Sequence, residues 1–150
     1  MNKIKISFEL ESDIIPKKPI VKYCKAVLKK LAIKNWEISV FFCSDQYIAQ
    51  LNDKFRKKSG PTDVLTFSQN GFVEKKIKRM YYAGDIVISR KSLLSNCQEF
   101  NVSEEDELKR LLVHGALHLT GRDHKTNDLN EEMIILQEKI LAEIRGVIKI

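Results

Sequence analysis

The chain is poor in the residues that define several protein classes, and each scarcity excludes something. Three cysteines, Cys24, Cys43 and Cys97, are an odd number with no C-x-x-C spacing. They fit reduced, buried thiols with no disulfide partner rather than a disulfide framework. No apolar run approaches the length needed to span a bilayer. The N-terminal stretch Met1 to Phe8 alternates apolar and polar residues, so it lacks the continuous apolar segment of a secretory signal and reads as a strand. There is no internal repeat, no low-complexity tract and no linker rich in proline or serine. One domain over residues 1–150, cytoplasmic and with no membrane association, is the expectation.

Histidine is equally scarce, and its placement is the most informative feature of the chain. All three histidines lie in His114-Gly-Ala-Leu-His118-Leu-Thr-Gly121-Arg-Asp-His124. On a helix, His114 and His118 share one face, one turn apart. Gly121 can take the left-handed conformation that ends a helix, and the returning chain can then present His124. Three neutral imidazoles suit one divalent ion and leave a fourth position for a reacting oxygen. Zinc is the first expectation, although three imidazoles also suit nickel or another divalent metal. The offsets match those of H-E-x-x-H-x-x-G-x-x-H peptidases, whose glutamate is the general base. Here that position is Gly115, so the metal cage is kept and the peptidase base is missing.

Charge is unevenly spread. Residues 1–100 hold 19 Lys/Arg against 10 Asp/Glu, whereas residues 101–150 hold 7 against 10. The basic excess gathers at Lys17–Lys34, Lys54–Lys58 and Lys75–Arg79, which makes a polyanion such as nucleic acid the natural partner.

Periodicity predicts strands at residues 3–9, 37–43, 64–67 and 84–89, with a basic hairpin or mobile loop over 69–82. It predicts helices from Lys17 to Ile33, after Ser44 to about Phe55, near Lys91 to Gln98, and after the capping box Ser103-Glu-Glu-Asp106. A last helix, capped by Asn127 or Asp128, is expected to pack through Leu129, Met133, Leu136, Ile140 and Ile144. The class is α+β, a mixed sheet of roughly four strands with about five packed helices and the metal site on a helix-turn.

The histidine segment resembles the H-G-x-L-H-L-x-G-x-D-H signature of the YbeY family of bacterial endoribonucleases. Leu51-Asn-Asp-Lys-Phe-Arg56, Pro61-Thr-Asp-Val-Leu-Thr-Phe67 and Gly84-Asp-Ile-Val-Ile-Ser89 are similar to three further stretches of that family, in the same order. The resemblance implies metal-dependent cleavage of single-stranded RNA. His114, His118 and His124 would be the metal ligands, and His114 and Arg56 the catalytic residues, with Arg56 at the RNA phosphate. It also implies ribosomal RNA and the ribosome as partners, in maturation of the small-subunit 3′ end and in ribosome quality control. The family's acid three residues after the arginine is Ser59 here, which puts the geometry of that loop in question. Two alternatives remain at this point: an assembly factor with a structural metal, and a peptidase-like hydrolase. Asp123 is expected to orient a ligand imidazole, and the general base is unassigned.

Overall fold

The computed structural model describes residues 1–75, 78–145 and 148. The described residues form four strands and five α-helices, in the order β1 (Lys3–Phe8), α1 (Lys17–Lys30), β2 (Trp36–Cys43), α2 (Asp45–Arg56), β3 (Val64–Lys75), β4 (Lys78–Ser89), α3 (Arg90–Phe100), α4 (Glu104–Leu119) and α5 (Glu132–Glu143). The sheet order is β1-β2-β4-β3. β1 pairs parallel to β2 across the α1 crossover, and β2 pairs parallel to β4. β3 and β4 form an antiparallel hairpin. The expected α+β class and mixed four-stranded sheet are therefore what the chain adopts.

Three of the helices, α2, α3 and α4, begin where serine side-chain oxygens cap them. Ser44, Ser89 and Ser103 each accept a hydrogen bond from the backbone N–H three residues on, at 3.1, 3.2 and 3.1 Å. α1 and α4 cover one face of the sheet. They enclose the main core with Ile20, Val27, Leu28, Ile38, Val40, Phe42, Ile86, Ile88, Leu108, Leu111, Leu112 and Leu117. α2 covers part of the other face through Ile48 and the half-buried Leu51, against Cys43, Leu65 and Val87.

Several boundaries move. α1 stops at Lys30 rather than Ile33, because Ala32 turns left-handed (φ 56°) and the Ile33 N–H closes back on the Leu28 carbonyl. The stretch 69–82 belongs largely to two long paired strands, in register from Gly71↔Tyr82 to Lys75↔Lys78. Residues 76 and 77, where the expected hairpin would turn, lie outside the described residues. α3 is longer than expected by about one turn. α5 starts later, at Glu132, and neither Asn127 nor Asp128 caps it. Asp128 instead shapes the turn before the helix, accepting from the Asn130 N–H at 2.9 Å. Leu129 therefore falls outside the helix and stays 73% exposed, whereas Met133 and Ile140 are buried as the apolar stripe requires.

Two glycines set how closely α4 approaches the sheet. A Cβ on Gly115 would lie 2.9 Å from Ile86 Cγ2 and 3.0 Å from its Cδ1. Gly84 has φ +148°, and a Cβ there would collide with the Phe67 carbonyl and lie 2.8 Å from Leu119 Cδ2. Each glycine thus makes room for one large side chain of the facing element, Ile86 under Gly115 and Leu119 over Gly84, directly beside the histidines.

Candidate metal centre and RNA cleft

The histidine helix ends as its sequence directs. Leu119 is the last helical residue and Thr120 its C-cap, Gly121 takes φ +92°, and two bonds close the end: Gly121 N–H to His118 O at 2.9 Å and Arg122 N–H to Leu117 O at 3.3 Å. This is the Schellman pattern, which satisfies carbonyls that would otherwise lack partners. The chain doubles back and brings His124 to the face already occupied by His114 and His118.

The three rings converge. His114 Nε2 lies 3.1 Å from His118 Nε2 and 3.2 Å from His124 Nε2. Each Nδ1 is meanwhile held by an oxygen: Gln137 Oε1 at 2.7 Å from His114, the Arg122 carbonyl at 3.1 Å from His118, and the Thr126 carbonyl at 2.8 Å from His124. An oxygen acceptor places the proton on Nδ1, which leaves every Nε2 as a bare lone pair. Lone pairs facing one another at such distances repel unless a cation lies between them. Tetrahedral ligands at roughly 2.0–2.1 Å from an ion are about 3.3 Å apart, so the spacing fits a divalent ion of zinc type. Among the described residues, no other group of histidine, cysteine or acidic side chains gathers in this way.

The protonation balance points the same way. Burial, and to a smaller extent the neighbouring cations, lowers His114 from its ordinary 6.5 to about 4, against the opposing bond from Gln137. Burial, then His124, also lowers His118. Both helix-borne imidazoles are neutral at physiological pH, the state a metal would require.

Asp123 does not play the part expected of it. Its carboxylate is 3.9 Å from His118 Nδ1 and accepts instead from the His124 backbone N–H at 2.8 Å. It shapes the loop, while backbone carbonyls and Gln137 orient the rings. Gln137 was not anticipated. The available cue was a polar residue within the apolar stripe of α5, between Met133 and Ile140.

Arg56, the final residue of α2, shares a cleft of about 730 Å³ with His114 and His118. Its Nη2 donates to the Thr66 carbonyl at 2.7 Å, and the guanidinium lies 5.4 Å from the Phe67 ring centre. β3 thus fixes the side chain while most of its donors face the cleft. The loop after α2 is held by Lys57 in the left-handed region (φ 54°) and by the buried Asn52, whose Nδ2 donates to the Gly60 carbonyl at 3.0 Å. Ser59 is exposed and takes no part, so the loop closes without the acid at that position.

A second cleft, of about 770 Å³, opens on the other side of the histidines and includes Arg56, Lys58, Asp63 and Phe100. Its floor is a closed polar network. Asn96 Nδ2 donates to Asp63 and to Glu107, at 2.9 Å each. Arg110, one turn before His114, pairs with both oxygens of Glu107, at 2.6 and 2.8 Å. This network ties the start of β3 to α3 and α4, and leaves the Asp63 and Glu107 carboxylates engaged.

Gly115, the position of the peptidase base in the related spacing, faces Ile86 in the core rather than either cleft. The fold and site define an α+β domain with a three-imidazole centre in a cleft that also carries a phosphate-binding type of cation. The family model for endoribonuclease YbeY matches residues 5–145. The chain is 43% identical over 149 residues to the endoribonuclease YbeY of Treponema denticola, covering 97% of this chain and 96% of that protein. It is 49% identical over 126 residues to the Borrelia turicatae protein of the same name, covering 81% and 82% of the two chains. The solution structure of TM1509 from Thermotoga maritima superposes with a TM-score of 0.60 at 31% identity, over 93% of this chain and 87% of that one. The chain belongs to the endoribonuclease YbeY family.

Proposed function

We propose that this chain is a metal-dependent endoribonuclease that cuts single-stranded RNA. His114, His118 and His124 hold a zinc-type ion, and Arg56 and His114 are the catalytic residues. Family membership supports RNA as the substrate. The observation that carries the reading is the convergence of three Nε2 lone pairs at the second cleft, which all three histidines line together with Arg56. The cellular role follows from the family: maturation of ribosomal RNA at the small-subunit 3′ end and ribosome quality control, in the cytoplasm and on the ribosome. Among the described residues no helix is long and apolar enough to cross a membrane, which is compatible with that setting.

When bound, such an ion supplies Lewis acidity to a phosphate oxygen or acidifies a water molecule. The protein's own contribution is positioning and charge. Arg56 presents a planar fork to a scissile phosphate and offsets the charge that builds on its oxygens. Thr66 and Phe67 hold that fork in place before substrate arrives, so little ordering is left to the reaction. His114 is kept neutral and aimed by Gln137. Phe100, 62% exposed at the rim of the second cleft, offers a face on which an unpaired base can stack. A base locked in a duplex cannot reach it, which accounts for the preference for single strands.

The test is cleavage of a single-stranded RNA by the metal-loaded protein, with a chelator and with Arg56→Ala. Chelation should abolish cleavage. Arg56→Ala should retain the metal and lose about 10²–10³ in kcat, the usual cost of one transition-state donor. Analysis of the product ends separates attack by the RNA 2′-hydroxyl, which leaves a cyclic phosphate, from attack by water. Cleavage that persists undiminished under both treatments would remove the assignment.

A further inference from the structure

Residues 17–34 contain seven lysines and no acidic residue. Within α1, Lys18, Lys22, Lys25 and Lys29 follow one another at spacings of four, three and four. At 100° per residue they fall within an arc of about 60° and run about 16 Å along the helix. Ile20, Cys24, Val27 and Leu28 form the buried face diametrically opposite. The row therefore points straight away from the core, and all four lysines are exposed.

None of the four makes an ion pair or hydrogen bond among the described residues. The one ion pair of the helix, Lys30 to Glu143 at 3.2 Å, lies off the row. Like charges one turn apart destabilise a helix, so the row carries a cost that a bound polyanion would relieve. Grooves on either side extend the positive surface. Lys22, Lys29 and Lys30 line one together with Arg145, and Lys25, Lys29 and Lys34 line the other.

The row is remote from the histidines. α1 packs on β1 and α4, whereas the histidine end of α4 packs on β3 and β4. β1 and β3 are the two outer strands, separated by three strand spacings, or about 14 Å. Neighbouring lysines in the row stand about 5–6 Å apart, a spacing on which successive phosphates of a strand can be tracked. No large apolar side chain of α1 is exposed, so the helix lacks the hydrophobic face that membrane-surface helices insert.

We propose that the lysine row of α1 is a docking surface for an RNA backbone, separate from the cleft. It would hold a long RNA by its phosphates while a distant single-stranded segment reaches Arg56 and the histidines. The proposal rests on the endoribonuclease reading for the identity of the polyanion as RNA.

The experiment compares Lys18→Gln/Lys22→Gln/Lys25→Gln/Lys29→Gln with the unaltered protein, both metal-loaded, on two RNAs. One is too short to reach from the cleft to the row, and the other is long enough to span both. The four-fold variant should cleave the short RNA at the unaltered rate. Its affinity for the long RNA, read by fluorescence anisotropy, should fall about ten- to a hundred-fold. The slope of log affinity against log salt should flatten by about 3, from four lost phosphate contacts. Unchanged long-RNA affinity and slope would overturn the proposal. Equal losses on short and long RNA would also overturn it, because the row would then act through the cleft or through folding. Binding to vesicles of anionic lipid that depends on the row, with RNA affinity unaltered, would reassign the surface to a membrane. Absence of cleavage by the unaltered protein counts against the endoribonuclease reading alone, since the anisotropy measurement still decides the docking surface.

Discussion

His114 and His118 stand on a packed helix, whereas His124 stands on an irregular loop, and the three are held in different ways. The helix pair owes its direction to α4, which Gly115 seats against Ile86. Its first member is oriented by a side chain from another element, Gln137 of α5. His124 is oriented by the Thr126 carbonyl, two residues away in its own loop. The comparison teaches that one cluster of imidazoles can be assembled from one global support and one local support. Substitutions should affect the two unequally.

The largest effect is expected at the centre of the trio. His114→Ala removes the ring to which both other Nε2 atoms are closest, and metal analysis of the purified variant should find no retained ion. A variant that keeps its full metal content would show that His114 is not a ligand. Next is the global support. Gln137→Leu removes the acceptor that fixes the His114 tautomer, and metal affinity should fall about 10–100-fold, the usual effect of losing such a partner. Competition with a chelator of known strength measures this directly.

Acid should separate the helix pair further. His114 in the folded protein has a value of about 4, below the ordinary 6.5, and His118 is shifted in the same direction. The native state therefore binds fewer protons than the unfolded chain across that interval. The stability linked to the neutral His114 ring is complete above pH 6.5 and is lost as pH falls through about 4, and His118 contributes in the same direction. The metal-free protein should show a melting temperature that declines over this window, and His114→Asn should reduce the decline. An equally steep decline in that variant would assign it to other groups.

The smallest effect is expected in the local support. Thr126→Ala leaves the backbone carbonyl in place, so metal affinity should stay within about 0.5 kcal/mol of the original, the range of an ordinary surface change. A loss as large as that of Gln137→Leu would mean that the loop side chains, not its backbone, aim His124.

Much of the site was legible because short-range spacing encodes it. The four-residue step between His114 and His118, and the glycine after the helix, determine ring placement without knowledge of the rest of the fold. Ser44 and Ser103 marked helix starts for the same local reason, whereas the Ser89 cap emerged only from the structure. The β3–β4 extension was legible only as a choice between hairpin and mobile loop, because residues 69–82 lack alternation; pairing from Gly71↔Tyr82 to Lys75↔Lys78 decides for the hairpin strands. The start of α5 was misplaced because Asp128 can cap a helix or shape a turn, and the sequence does not choose between them. Gln137 escaped notice since its partner lies 23 residues away. The role given to Asp123 failed because proximity in sequence to His124 led its carboxylate to the backbone rather than to an imidazole.

The bare Cα of Gly115 has a consequence for what this scaffold can become. Installing the peptidase glutamate beside His114 would drive a carboxylate into Ile86 instead of towards a substrate. No single exchange at that position converts one hydrolase into the other; α4 would first have to lift from the strands or rotate about its axis. The tight seat under the helix thus acts as a barrier to functional drift, keeping the ligand spacing shared with peptidases separate from their chemistry.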